Sequence, residues 1–194
     1  MEREVRGGIQ AEIRATEKGI SVSGYAAVFN QPADIGGSFR EVIAPGAFTE
    51  AIGRDDVVFL INHEDLPLAR TRSGTLTLTE DEHGLKMETV LDASDPDVQS
   101  IVPKMKRGDL DKMSFAFISD IEEWADEGGV VTRTIKKATL FDVSIVTTPA
   151  YGGTSIALRN LEAARKQQRQ SNFNAAAMRL RMKANLRLRA SENG

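Results

Sequence analysis

The feature that most restricts the fold is a pair of long β-type runs, residues 113–124 and 130–147, joined by ADEGG. Such runs with a glycine-rich joint form an antiparallel hairpin, and a hairpin of this length needs a large sheet and a covered face around it. In the first run, DKMSFAFIS, a period of two places Ser114 and Ala116 on one face and Met113, Phe115 and Phe117 on the other. The bulky face anchors the strand, and the small residues beside Ser114 are expected to leave its hydroxyl accessible. In the second run, TLFDVSIVTT, Asp142 stands among apolar neighbours. A buried carboxylate there requires a partner, because an unpaired buried charge is strongly destabilising.

The rest of the body also reads as mostly β. Residues 9–15 and 20–29 predict two strands, with Gly19 at their turn, and residues 30–37 a loop rich in Pro, Asp and Gly. Residues 39–44 predict a short strand, and Pro45 opens a stretch, GAFTEAI, that suits one or two helical turns. The run VVFLI, residues 57–61, suits a strand buried on both faces. Residues 75–79 and 85–91 predict a hairpin with His83 and Gly84 in its turn. Between 94 and 107 the period changes. Asp95 and Pro96 suit a helix start, Val98, Ile101, Val102 and Met105 share a face, and Gly108 suits the stop. Beyond Thr154 the pattern is helical, interrupted by the polar QQRQSNFN, which predicts a broken or mobile tail.

Charge divides the chain. Residues 159–194 hold nine basic and two acidic residues, a net +7 that leaves −10 on the rest of a chain whose total is −3. The expected organisation is a body over residues 1–158 and a basic tail, helical or disordered, over 159–194. The acidic body argues against a broad nucleic-acid footprint, leaving at most weak binding through the tail. No window approaches the roughly 18 apolar residues of a membrane span. The start, MEREVRGG, is charged and unlike a secretory signal.

Composition narrows the chemistry. Cysteine is absent, which removes disulfides, thiol nucleophiles and thiolate metal sites. The histidines are two, His63 and His83, so a site built on several imidazoles is excluded. There is no phosphate-binding glycine loop and no HExxH. The acidic run DASDPD reads as a helix cap rather than a cation loop. No cofactor and no metal is expected.

What remains is a hydroxyl, an imidazole and a carboxylate. His63 follows the buried strand, His83 lies in a charged turn, and Asp142 needs a partner. Ser114 as nucleophile, His63 as base and Asp142 as orienting acid form one candidate triad. Residue types alone leave alternatives. Ser144 shares the face of Asp142 and is a rival nucleophile, and Asp142 has Lys136, Lys137 or an arginine as other partners.

Four segments in this order, REVIAPGAF, FLINHEDLPLARTRSGTL, MKRGDLDKMSFAF and TLFDVSIVTTPAY, resemble the prohead maturation proteases of tailed bacteriophages, over roughly residues 9 to 160. These proteases look related to the herpesvirus capsid-assembly proteases. The resemblance implies an α+β fold, mostly β with peripheral helices, in which a closed or nearly closed β-barrel carries a serine endopeptidase site. It places the histidine on His63, the serine on Ser114 and the acid on Asp142, where glutamate is common in the family. The oxyanion donors it leaves open are backbone groups near Gly152 and Gly153, or Arg70 and Arg72. It further implies cleavage of scaffold protein, or of the scaffolding segment of the major capsid protein, inside an immature procapsid in the bacterial cytoplasm, together with self-cleavage. The basic tail would then tether the protease to acidic scaffold and be trimmed. A homodimer follows by analogy with the herpesvirus relatives, supported in the sequence only by the apolar stripes of the tail and of residues 94–107. The alternative is a noncatalytic assembly factor that binds scaffold on the same fold.

Overall fold

A computed structural model describes residues 3–16, 19–148 and 155–192. The chain divides into two units, Met1–Thr154 and Ser155–Gly194. In the first, strands β1 (Glu4–Thr16), β2 (Gly19–Val28), β3 (Ala33–Ile35) and β4 (Phe39–Ile43) precede a short helix, α1 (Thr49–Arg54). Then come β5 (Val58–Ile61), β6 (Glu64–Arg70), β7 (Leu76–Glu80), β8 (Gly84–Leu91), helix α2 (Pro96–Arg107), β9 (Lys112–Glu127) and β10 (Val130–Val146). The second unit is a single helix, α3 (Ser155–Glu192). It runs through QQRQSNFN without a break, so polarity there did not interrupt the helix; Gln and Arg are good helix formers.

The predicted hairpin is the spine. Gly128 and Gly129 both adopt positive φ, 63° and 87°, which lets a tight turn join β9 to β10. β10 has β9 along one side. On the other it has β4 in parallel against residues 132–135 and β5 in parallel against residues 142–145. The sheet continues β9-β1-β2-β8-β7 on one flank and ends at β3 and β6 on the other. Residues 57–61 are an interior strand as expected, because β5 lies between β10 and β6.

The expected closed barrel does not form. Among the described residues the sheet is open, with β3, β6 and β7 at its edges. The opening is occupied by α1 and the turn before it. Ala47 accepts from the Ala138 amide at 2.9 Å, and Phe48, fully buried, fills the interior. At the end of β7, Glu80 accepts from the amides of Gly46 and Phe48 and from the Thr49 hydroxyl. A side chain and a helical turn therefore stand where ladder hydrogen bonds would have closed the sheet. The fold is mixed α+β, mostly sheet with few helices.

α2 starts as its sequence predicts: Asp95 accepts from the Asp97 amide, and Gly108 stops the helix in the left-handed region. Val98, Ile101, Val102 and Met105 are all buried in the core. That stripe faces inward and gives no support to a dimer. The core also takes Phe48, Phe115 and Phe117, in ring contact at 5.5 and 5.1 Å between centroids.

A buried ionic cluster ties four strands together. Arg133 of β10, with no exposed surface, donates to Glu4 and Glu41 at 2.8 Å and to Glu122. Arg6 donates to Glu41 at 2.6 Å and to Glu4 at 2.8 Å. Burial opposes the charge on Arg133, but the bond to Glu4 and the charges of Glu41, Glu4 and Glu122 prevail and raise its pKa. Replacing Arg133 by Met leaves Glu4 and Glu41 sharing one guanidinium. The expected loss is about 3–5 kcal/mol in urea denaturation, and a loss below about 1 kcal/mol would show that the cluster is not what binds these strands.

Candidate active site

Ser114 lies on β9 directly opposite Ser144 of β10. Paired residues in an antiparallel ladder share a face, so Ser114, Ala116, Asp142 and Ser144 all point to one side. Asp142 reaches that side through a bulge: Leu140 pairs with Phe117, yet Asp142 pairs with Ala116, leaving Phe141 as the extra residue. His63 comes from the turn between β5 and β6. Asn62 and His63 have φ of 50° and 64°, the backbone of a two-residue hairpin turn with both positions left-handed. Asn suits its place; His at the second is strained relative to glycine. The turn is held by the Asn62 amide donating to Ile145 and by its side-chain oxygen accepting from the Thr147 amide at 3.1 Å.

These three elements bring together the three residues predicted from sequence. His63 Nε2 is 2.7 Å from Ser114 Oγ, and His63 Nδ1 is 2.6 Å from Asp142 Oδ1. Asp142 is almost fully buried, and its second oxygen forms an ion pair with Arg3. A carboxylate only accepts, so Nδ1 carries the ring proton and a neutral ring leaves Nε2 free to accept. The ring is held neutral: burial, and then the charge of Arg3, lower its pKa from 6.5 to about 4. The arrangement can therefore draw a proton from the Ser114 hydroxyl and hold the resulting charge against Asp142.

Of the rivals, an arginine, Arg3, does reach Asp142 alongside His63, and the others do not take the assigned places. Ser144 Oγ donates to Asp142 Oδ1 at 2.8 Å and lies 3.3 Å from Nδ1, the nitrogen that bears the proton, so it is not on the accepting side of the ring. Lys136 pairs with Glu123 and Lys137 with Glu50. Arg70 pairs with Asp56, which also accepts from the Arg72 backbone. His83 is exposed against the edge of Tyr25. Gly152 and Gly153 lie outside the described residues. Among those described, no group of His, Asp and Glu residues is arranged to hold a metal ion, and no helix is long and apolar enough to cross a membrane.

Two features escaped the sequence reading. Arg3, in a stretch read only as charged, touches Asp142 and sits over the Phe141 ring at 5.8 Å. Ser114 is wholly buried, not accessible. Ala116 beside it on that face is small, as expected, but β1 lies alongside.

A family model described as caudovirus prohead serine protease matches residues 9–169. The solved structure of the bacteriophage T4 capsid assembly protease is similar with a TM-score of 0.48 and 9% identity, over 76% of this chain and 98% of that one. No curated protein matches.

The strained turn yields a test of what His63 is for. His63→Gly and His63→Ala both remove the imidazole, but only glycine relieves the left-handed backbone. The glycine variant is expected to be about 1 kcal/mol more stable than the alanine variant in urea, with neither able to activate Ser114. Equal stabilities would mean that the turn relaxes when the ring is lost.

Proposed function

The chain belongs to the caudovirus prohead serine protease family, and from that premise we propose that it is a serine endopeptidase of procapsid maturation working through Ser114, His63 and Asp142. The observation that carries the reading is the chain of two short contacts, Oγ to Nε2 at 2.7 Å and Nδ1 to Oδ1 at 2.6 Å. The Ser114 oxygen attacks a scissile carbonyl as its proton passes to Nε2. The imidazolium so formed is stabilised by Asp142, which also fixes the tautomer. The proton then goes to the leaving amine, and water repeats the cycle on the acyl-enzyme. A buried setting strengthens these interactions relative to water.

The substrates proposed are the scaffold protein and the scaffolding segment of the major capsid protein, met inside the immature procapsid. The basic residues of α3 suit an acidic scaffold surface. Self-cleavage within α3 would require local unwinding, because a peptidase of this type needs an extended strand. The second reading, a noncatalytic scaffold-binding protein, draws on one observation: Ser114 is completely covered.

Co-expression with the capsid and scaffold proteins of the same phage separates the two. Ser114→Ala and His63→Ala are each expected to lower processing by about 10^3-fold or more. Asp142→Asn should cost a comparable factor by favouring the wrong tautomer, whereas Ser144→Ala should stay within about tenfold of the parent. Processing that survives loss of Ser114, or that stops only with Ser144, would contradict the assignment.

A further inference from the structure

Besides His63 and the facing Ser144, the first residues of β1 lie against Ser114. Residues 4–7 of β1 run antiparallel to β9, with Glu4 opposite Phe117 and Gly7 opposite Ser114. The Arg6 carbonyl accepts from Ser114 Oγ at 2.7 Å. Gly7 lies so close that a Cβ there would meet the Met113 carbonyl oxygen at 2.4 Å and Ser114 Cα at 2.6 Å. Arg3 then crosses Phe141 to reach Asp142. Consecutive parts of one segment thus engage both the hydroxyl and the carboxylate of the site.

Proton counting shows what this does. Ser114 has one hydroxyl proton and two acceptors at the same distance, 2.7 Å: Nε2 of His63 and the Arg6 carbonyl. While the hydroxyl proton points to the Arg6 carbonyl, the base cannot take it. The Arg6 carbonyl meets the hydroxyl through its oxygen, the wrong atom for attack, and Ser114, with Gly7 against its Cα and Cβ, has no exposed surface for a substrate carbonyl to approach. The segment blocks without being cut.

The same segment is built to leave. Among the described residues, pairing of β1 with β2 begins at Ala11, so residues 4–7 have a ladder to β9 on one side alone. A bulge separates Gly7 from Ile9, and the sequence there is Gly7-Gly8, which suits a hinge. The fastening is the buried ionic cluster, through Glu4 and Arg6. Lifting both removes one acid and one base, leaving Arg133 still bonded to Glu41 and Glu122.

We propose that residues 3–7 form a self-blocking strap that keeps the enzyme silent until it lifts from β9, an inference that rests on Ser114 being the nucleophile and His63 its base. An extended peptide competing for the same strand edge would displace it, as strand addition does elsewhere.

The test compares the full chain with three variants: one beginning at Gly8 behind an initiator methionine, Gly7→Val, and Arg3→Ala. Each is treated with a fluorophosphonate, which forms an O–P bond to an activated serine oxygen and expels fluoride. Labelling of Ser114 is followed by intact mass, and folding by circular dichroism. For a lifted state populated at about 0.1–10% in the parent, the shortened chain should label roughly 10- to 1000-fold faster. Gly7→Val should move the same way, since its side chain collides with β9, and Arg3→Ala should show a smaller acceleration. If the shortened chain fails to fold, Gly7→Val decides; Arg3→Ala, at a partly exposed position, decides if both fail. Folded variants that label no faster than the full chain would overturn the strap while leaving the nucleophile assignment standing. No labelling in any folded form would overturn the nucleophile assignment, and the strap with it.

Discussion

One extra residue in β10 determines where the buried acid points. Up to Leu140 the strand pairs with β9 so that Leu140 and Phe117 face the core together. With unbroken alternation Asp142 would follow Leu140 inward, among phenylalanines, where a charge has no partner. The bulge at Phe141 shifts the register by one, turns Asp142 to the side of Ser114, and restores alternation so that Ser144 meets Ser114 directly. The rest of the site is built onto that register. β5 pairs with the same stretch, Asp142 opposite Val58 and Ile145 opposite Ile61, and its turn carries His63 back over the carboxylate.

A second constraint works from the other side of β9. The ionic cluster of Glu4, Arg6, Glu41, Glu122 and Arg133 fixes the start of β1 against β4, β9 and β10. Buried ion pairs give modest net stability, and their stronger effect is to penalise any arrangement that separates them. Here the penalty holds an N-terminal edge segment over the hydroxyl. The same cluster thus links the integrity of the sheet to the covering of the site, and the glycine pair beside it localises the flexion that uncovering needs.

Much of this was legible in the residues. The long hairpin and the capped helix α2 with its buried stripe follow from alternation and cap chemistry; for the site, the residues alone left Ser144 and other partners of Asp142 open, and the resemblance to the prohead proteases singled out His63, Ser114 and Asp142. The misses share a cause. A bulge such as Phe141 leaves no mark in a sequence, because the residues on either side still look strand-like. NHEDLPLAR gave no clean alternation, so β6 was not foreseen. Nothing in the sequence singles out Arg133 and Arg6, since only the folded sheet brings their guanidinium groups and three carboxylates from four strands to one point. The closed barrel failed because Phe48 and Glu80 fill the opening with a helical turn and a side chain, an arrangement set by long-range packing. The covering of Ser114 depends on β1 lying against β9, and a charged N-terminus did not suggest that pairing.

The central claim is that His63 is a neutral base aligned by Asp142 and aimed at Ser114. Two histidines make it directly measurable by nitrogen NMR of histidine-labelled protein. The account predicts a His63 ring that carries its proton on Nδ1 at neutral pH and titrates far below 6.5, near pH 4, with the Nδ1 preference lost in Asp142→Ala. A ring that titrates like a free imidazole, or carries its proton on Nε2, would contradict it.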